Sequence, residues 1–513
     1  MTAGIIDATA VRPRTAWWLP ALVILIVTAI VHRETAPYVV GVFHDDGIYA
    51  LLARSVATGQ GFHYAHLPGA PAATHYPPLY PLLLAAVWRM APGFPGNVPL
   101  MLGVNALLVG LSSAGCWWFV TACLGWPPRR GALASVAAGL TSPSIALAGA
   151  LLSESLFLAL LWPSLIASTK AIEKTGRAPI LVAGAMIGTL MLVRTHAVAL
   201  VAAVVVILAV RRRWRDTLIL VAAVEALQLP WQLWSASARP RIPAPLEGAY
   251  GSYTGWFVNG LRGDGLDFLL ATVRANAWEC WLLLRDRATL GASEVTSIAA
   301  LLLLIAVCAG AWSLRRRTPV TLAFVACYAG ILVAWPYAPW RFVWGVWPLV
   351  LLVAFEGVRN LWINAGKGRL ALVIGATLPS VAIARTELHA YAVKGWSEPA
   401  RRAEAQIAPV VDWVRAHTAP SDVILAEGEQ VVALYAGRRA APPIAFTARE
   451  YLSPPSVNEG RMRLADMLVA VPARYAILLA PGMIASAEAL VSSHPGLRRF
   501  GSVPGGAVFV VVP

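Results

Sequence analysis

An adjacent pair of acids, with tyrosines and histidines close by, holds the first residues in this chain whose types can do chemistry. Asp45 and Asp46 stand in Phe43-His44-Asp45-Asp46-Gly47-Ile48-Tyr49, and His75-Tyr76-Pro77-Pro78-Leu79-Tyr80-Pro81 follows in the same polar stretch. A carboxylate within hydrogen-bond reach can take a proton from a hydroxyl. The pair equally suits a structural role, as a cap on an amphipathic helix over Ile48–Ala57 that carries Tyr49, Leu52, Ala53 and Val56. Other ionisable residues recur far apart: Glu154 in Ser153-Glu154-Ser155, Arg194 and His196 after an apolar run, and Arg341 at the end of Trp335-Pro336-Tyr337-Ala338-Pro339-Trp340-Arg341.

The elements that must position these residues are apolar. Of 513 residues 58% are hydrophobic and 13% charged, about half the charge of a soluble domain, and the mean hydropathy is +0.65. That composition excludes disorder and a soluble enzyme, and describes an α-helical polytopic membrane protein. Spans fall at about 17–32, 97–125, 130–150, 152–170, 178–193, 196–211, 216–234, 293–313, 318–336, 340–360 and 369–386, about eleven at ~20 residues per crossing. The net charge of +15 gathers in clusters between them: Arg129–Arg130, Lys170–Arg177, Arg211–Arg215, Arg315–Arg317 and Arg359–Arg369. With Arg12 and Arg14 before the first span, every cluster falls on one side, as the positive-inside rule requires, and no nucleic-acid partner is needed to explain the charge. The N-terminus is then cytoplasmic and the protein is expected in the cell's inner (plasma) membrane; no small-x-small cleavage site supports a signal peptide instead. Five scattered cysteines show neither metal-ligand spacing nor a disulfide framework.

Two loops and the tail face outward in this topology. Residues 33–96 carry the acid pair and an apolar run, Pro77–Ala91, too short to cross. Residues 235–290 read as an ordered loop or lid, with Pro240, Pro243, Pro245 and then Tyr250, Tyr253 and Trp256, aromatics fit either to stack on a sugar or to sit at the membrane interface. The division is 1–388 for the membrane domain and 389–513 for a small extracytoplasmic α/β domain. That domain has a strand at Val423–Ala426, a helix Gln430–Ala436 ended by Gly437, apolar runs Arg474–Leu479 and Ala507–Val512, and a helix Ala485–Val491. All the ionisable residues singled out above then meet at the outer membrane surface. Charges at membrane ends that simply sit in water are the alternative reading.

The first outer loop resembles that of the GT-C glycosyltransferases, most closely the group of aminoarabinose transferases, protein O-mannosyltransferases and related bacterial enzymes. The resemblance rests on Asp45-Asp46, Tyr49, Gly59-Gln60-Gly61 and Tyr76-Pro77-Pro78, with Ser153-Glu154-Ser155-Leu156-Phe157, Val193-Arg194-Thr195 and Arg341 followed by Pro348, over about residues 15–360. The chain departs from the family pattern at Asp46, often Glu; at Arg194-Thr195, usually Arg-Pro; and at Arg341-Phe342-Val343, usually Arg-Tyr-Leu-like. These departures leave the donor's identity open.

The resemblance implies a GT-C-like fold and transfer of a monosaccharide from a polyprenyl-phosphate donor to a hydroxyl of a lipid, polysaccharide or protein acceptor, with inversion. It makes Asp45 the base, with Asp46 orienting it or helping to hold the acceptor or a cation. Arg341 and then Arg194 are candidates for the donor phosphate, since a guanidinium forks onto phosphate oxygens at any working pH. Tyr49, Tyr76, His75 and Glu154 complete the expected pocket among membrane lipids. No metal site is assigned. His63-x-x-His66 could bind a divalent cation if the two share a helix face, and solvated loop histidines are the alternative. Two other classes fit many spans: a transporter, which places ionisable groups near mid-membrane, often in repeated halves, and a non-catalytic envelope assembly protein, for which Asp45 would be dispensable.

Overall fold

The computed structural model describes residues 18–238, 242–444, 447–494 and 496–512. Arg12, Arg14 and Pro240 lie outside the described residues. Every expected span coincides with helix, from Leu19–Glu34 and Val98–Ala122 to Arg369–Val393. Several open with proline in the first turn (Pro20, Pro99, Pro319), where the missing N–H would have had no partner. Among the described residues, Val98–Ala122, Glu154–Glu173, Trp214–Ala238, Ser293–Leu314 and Arg369–Val393 are long and apolar enough to cross a bilayer, and a sixth crossing is made if one bent pair counts as a span. The chain is a multi-pass membrane protein.

Two expected spans are broken. Residues 130–150 form Pro128–Gly139 and Ser142–Ala148, bent by 60°. Thr141 is extended between them, and Pro143 sits in the first turn of the second piece, where it cannot continue the first. Residues 340–360 form Trp340–Trp344 and Trp347–Asn364, divided at Gly345-Val346 with Pro348 opening the second. This break sets Arg341 on a short helix of its own.

The outer stretch 235–290 is not a loop. After a short turn over Ala244–Tyr250 it is a 35-residue helix, Tyr253–Arg287, kinked at Gly265 where φ is 60°. Gly255, Gly260, Gly263 and Gly265, interleaved with Arg262, Asp264 and Asp267, hide the helical period in this segment. Phe257 stacks on Trp335 and Trp256 meets Tyr337 edge-on, docking the helix beside the segment that carries Arg341. The Tyr253 side chain lies outside the described part of the structure.

In the first outer stretch, Asp45–Ala57 packs against Leu79–Met90, with Tyr49 edge-on to Tyr80 at 5.1 Å. At 12 residues the second helix spans only about 18 Å, too short to cross.

The tail is a three-layer α/β unit. Strands β1 (Val423–Ala426), β2 (Arg439–Ala441), β3 (Tyr475–Leu478), β4 (Leu497–Val503) and β5 (Gly506–Val511) lie in the order β2-β1-β3-β5-β4. β2, β1 and β3 are parallel, whereas β5 runs antiparallel to both β3 and β4. The two-residue alternation of the strands assigns the faces. Ile424, Ala426, Ile477 and Val508 meet Ile407, Val410, Val411 and Val414 of the helix Glu398–His417. Leu425, Ala476, Leu478 and Phe509 meet Leu464 and Met467 of Val457–Ala470 and Ala487 and Leu490 of Pro481–Val491.

That second core is continuous with the first outer stretch, since Val40, Ile48, Tyr64 and Tyr80 belong to the same buried cluster. The division at residue 388 is therefore one of chain organisation and not of packing.

Inside the membrane domain, Ser293–Leu314 and Trp347–Asn364 cross at reciprocal glycines. A Cβ on Gly310 would strike the carbonyl of Val353, and one on Gly357 the carbonyl of Ala306. Small residues there let the two backbones touch. Gly357→Val is expected to cost about 1–3 kcal/mol by forcing the helices apart, measured as a lowered thermal midpoint in detergent. Gly330→Val, with no atom within 4 Å of its Cβ position, should stay within about 0.5 kcal/mol of wild type.

Candidate active site

Four chain segments bring charge to one cleft. Asp45 opens a helix, with His44 preceding it at φ 65°, a left-handed conformation that turns the chain sharply into the first turn. Glu154 opens the helix Glu154–Glu173, Arg194 follows Arg177–Met191, and Arg341 rides the short helix Trp340–Trp344.

Arg341 joins the two acids. Its Nη1 donates to Asp45 Oδ2 at 2.7 Å, and its Nε donates to Glu154 Oε1 at 3.0 Å. Arg194 Nη1 lies 2.8 Å from the same Glu154 oxygen and donates to Ser153 Oγ at 3.1 Å. Tyr76 donates its hydroxyl hydrogen to Asp45 Oδ1 at 2.9 Å, and Tyr49 bonds Ser153. Exposure grades outward across the cluster, from 1% for the Glu154 side chain to 24% for Asp45. Glu154 is thus a buried counter-ion for two guanidiniums, while Asp45 faces the cleft. Burial alone would raise the Asp45 carboxyl, but Arg341, with help from His44 and Tyr76, outweighs it and holds the group at about 2.

Asp46 goes elsewhere. It is completely buried, and its oxygens accept from the Tyr38 hydroxyl and from the backbone N–H groups of Gly41 and Phe43 at 2.8–3.0 Å. Burial raises its carboxyl even against these bonds. Asp46 fastens the 38–43 loop beneath Asp45 and does not open on the cleft. His75, though almost wholly buried, does line the cleft: burial pushes its imidazole down to about 4, and its Nδ1–H donates to the Gly251 carbonyl, tying residues 33–96 to the turn before the helix Tyr253–Arg287.

His63 and His66 do not share a helix face, because residues 61–66 are not helical. His63 makes an isolated bridge with Ala72, and His66 is paired with Tyr250. Among the described residues no three His, Cys, Asp or Glu side chains converge as a metal site requires.

The cleft, about 370 Å³, is walled by Asp45, Tyr76, Arg194, His196, Arg341 and Trp256 among others. Beyond Gly248 and Trp256 lies a larger cavity, about 1200 Å³, between the long outer helix and the carboxy-terminal domain. With fixed cations, an ionised carboxylate and aromatic walls, the smaller cleft can hold an anionic group and present a base beside it. Sequence reasoning missed His44, Glu429 and Gln430, which meet at the edge of this cleft and are taken up below.

The overall fold is similar to that of ArnT. Two crystal structures of ArnT from Cupriavidus metallidurans superpose on nearly the whole chain. The structure bound to undecaprenyl phosphate has a TM-score of 0.53 at 13% identity, covering 96% of this chain and 97% of that one. The apo state gives 0.54 at 12% identity, covering 95% and 97%. No protein-family model matches the chain, and no curated protein matches it in sequence. At this identity the likeness shows the fold alone and leaves the chemistry to the residues. In the ArnT-like frame the broken 340–360 segment and the acid-bearing outer helix face each other across the cleft.

The charge pairing has a measurable pH signature. The folded value of Asp45 lies below that of an unfolded carboxylate, so its pairing contributes stability that is fully present above about pH 4 and lost as pH falls through about 2. Asp45→Asn should therefore melt below wild type at neutral pH, and the gap should close as pH is lowered from 4 to 2. Arg341→Gln should cost about 3–5 kcal/mol, because it strands Asp45 and half of the Glu154 pairing; Asp45→Asn added to it should restore part of that loss in a double-mutant cycle.

Proposed function

We propose that this protein is an integral-membrane glycosyltransferase that moves a monosaccharide from a polyprenyl-phosphate donor to a hydroxyl acceptor at the outer face of the membrane. The carrying observation is Arg341 held between Asp45 and Glu154 at the mouth of a cleft in an ArnT-like fold. The ArnT neighbour bound to undecaprenyl phosphate supports a lipid-linked donor. Nucleotide sugars are confined to the cytoplasm, so an outward-facing site needs a membrane-delivered one. By the same reading the N-terminus is cytoplasmic, the carboxy-terminal domain lies outside the inner membrane, and the helices cross about eleven times.

The transfer has two halves. The acceptor oxygen attacks the anomeric carbon from the face opposite the phosphate and inverts it. The bond from that carbon to the phosphate oxygen breaks, and its electron pair leaves on the phosphate. Arg341 and Arg194 take the growing charge, an effect worth about 3–4 kcal/mol per donor group. The acceptor proton goes to Asp45.

Held at about 2 by Arg341, Asp45 is a poor base in the empty cleft. An entering phosphate competes for Arg341 Nη1. Asp45, partly buried and released from that partner, then rises toward the range where it accepts a proton. The donor thus switches on the base that its own transfer needs. Asp46 acts by fixing the loop under Asp45, and Tyr76 orients the Asp45 carboxylate. The larger cavity beside Trp256 and Asn259 accommodates the acceptor.

With purified protein in lipid and a panel of undecaprenyl-phosphate monosaccharides, wild type should release undecaprenyl phosphate. Asp45→Asn should lose at least ~10²-fold in turnover while still binding undecaprenyl phosphate. Arg341→Gln should weaken that binding by about 10-fold or more. Equal turnover by wild type and Asp45→Asn would remove Asp45 as the base. Saturable solute uptake in vesicles with no turnover of any donor would replace the reading by a transporter.

A further inference from the structure

A chain of hydrogen bonds runs from the carboxy-terminal domain to the residue before Asp45. Tyr250 donates its hydroxyl hydrogen to Glu429 Oε1 at 2.7 Å. Gln430 Nε2 donates to the same oxygen at 2.8 Å and to His44 Nδ1 at 2.6 Å. Behind Tyr250, His66 Nε2 lies 3.2 Å from the hydroxyl. Glu429 and Gln430 are 3% and 1% exposed, as deep as any core residue, and Tyr250 and His66 are also buried. His44 alone is exposed, and it lines the cleft beside Asp45.

The donor count decides the direction of each bond. A primary amide has two hydrogens. One is committed to Glu429, whose oxygen also receives the Tyr250 hydroxyl hydrogen, and the other is then aimed at His44 Nδ1. With Glu429 ionised, turning the amide over would set its carbonyl oxygen against a carboxylate oxygen in a buried setting, which is costly; burial raises this carboxyl, and the Tyr250 hydroxyl, donating to it, favours the ionised form. His44 Nδ1 must therefore accept, and in the neutral ring the proton sits on Nε2. That nitrogen makes no hydrogen bond to the described residues and lies on the exposed ring at the cleft wall.

The fit is close. A Cβ on Gly47, at the start of the same helix, would press into the Gln430 side chain, and one on Gly41 would meet Val431. Val40 N–H donates to the Tyr435 hydroxyl at 3.0 Å, and Ala440 N–H to the His66 carbonyl at 3.0 Å. The domain is seated on the loop by its backbone as well as by Gln430.

We propose that His44 is a substrate-contacting hydrogen-bond donor, and that Gln430, with Glu429 behind it, is the positioning residue that fixes its Nε2–H form. The group it meets is an oxygen acceptor, either on the donor phosphate or on a sugar. This deepens the transferase reading and rests on the cleft being the place of transfer, although the tautomer can be measured without any turnover.

The test uses the full-length protein in lipid nanodiscs with ¹⁵N-labelled histidine, the His44 signals being those lost in His44→Gln. Wild type at neutral pH should show His44 with Nδ1 bare and Nε2 protonated, and Gln430→Met should shift it to a mixture of tautomers. A wild-type His44 protonated on Nδ1, or on both nitrogens, would overturn the proposal.

In the activity assay His44→Ala should lose roughly 3- to 10-fold, and His44→Gln, whose amide reaches the same place, should recover part of that loss. Weaker binding of undecaprenyl phosphate to His44→Ala would place the contact on the phosphate. Unchanged binding with lower turnover would place it on a sugar. No change in either would overturn the contact. A wild type that turns over no donor defeats the transferase reading and leaves the histidine spectrum to decide this one.

Discussion

One guanidinium holds the cleft end of the molecule together. Arg341 reaches Asp45 from a segment almost 300 positions away, while its other edge rests on Glu154. Acids and bases this close to a bilayer are tolerated only when paired. The pairing therefore dictates where three helix starts lie relative to one another. The break at Gly345-Val346, the turn at Arg194 and the left-handed His44 all serve to bring charged side chains to a common point. Arg194 completes the balance, setting two cations against two carboxylates, so an arriving anion must compete with a residue already in place.

Around that point the carboxy-terminal domain is not an appendage. Its sheet buries one face against its own amphipathic helix Glu398–His417, and its other layer merges with the core of the first outer stretch. The polar contacts to the acid-bearing loop come from the helical stretch Glu429–Tyr435, which follows a left-handed glycine, Gly428 at φ 79°, while Val39 and Val42 pack on the core around Ile407. That stretch touches the backbone of 40–41 and the side chain of His44, one residue from Asp45. The helix Asp45–Ala57 is thus held at its start by Arg341 on one side and by the carboxy-terminal domain on the other.

Much of this was legible in the residues because membrane composition makes charge conspicuous. Asp45, Glu154, Arg194 and Arg341 stood out as ionisable groups at span ends, and all four converge. Tyr49 and Tyr76 followed from their place beside the acids, and both point into the cluster. Which of the two acids faces the cleft was not legible: consecutive residues at a helix start project about 100° apart, and it is Asp45 that lines the cleft while Asp46 bonds the 38–43 loop. The long outer helix was hidden by its own glycines and charges.

In the tail, Val423–Ala426 is a plain apolar strand and was clear. The two edge strands were not, since Arg439–Ala441 is three residues long and Leu497–Val503 carries Arg498 and Arg499. The helix Val457–Ala470 went unread in the sequence, although Ser456 and Glu459 form a capping box at its start. The Gln430–His44 contact joins residues 386 positions apart, and no local pattern encodes it.

Gly47 carries a wider consequence. A side chain at the third position of Asp45-Asp46-Gly47 would strike both Gln430 and the Gly41 backbone. Positions 41, 47 and 430 therefore form a lock and key within one polypeptide. Anyone grafting the carboxy-terminal domain of one such protein onto the membrane half of another would have to transplant the 38–47 loop along with it. The natural module for such a graft is the tail together with a strip of the amino-terminal half, and its seam runs through the acid pair.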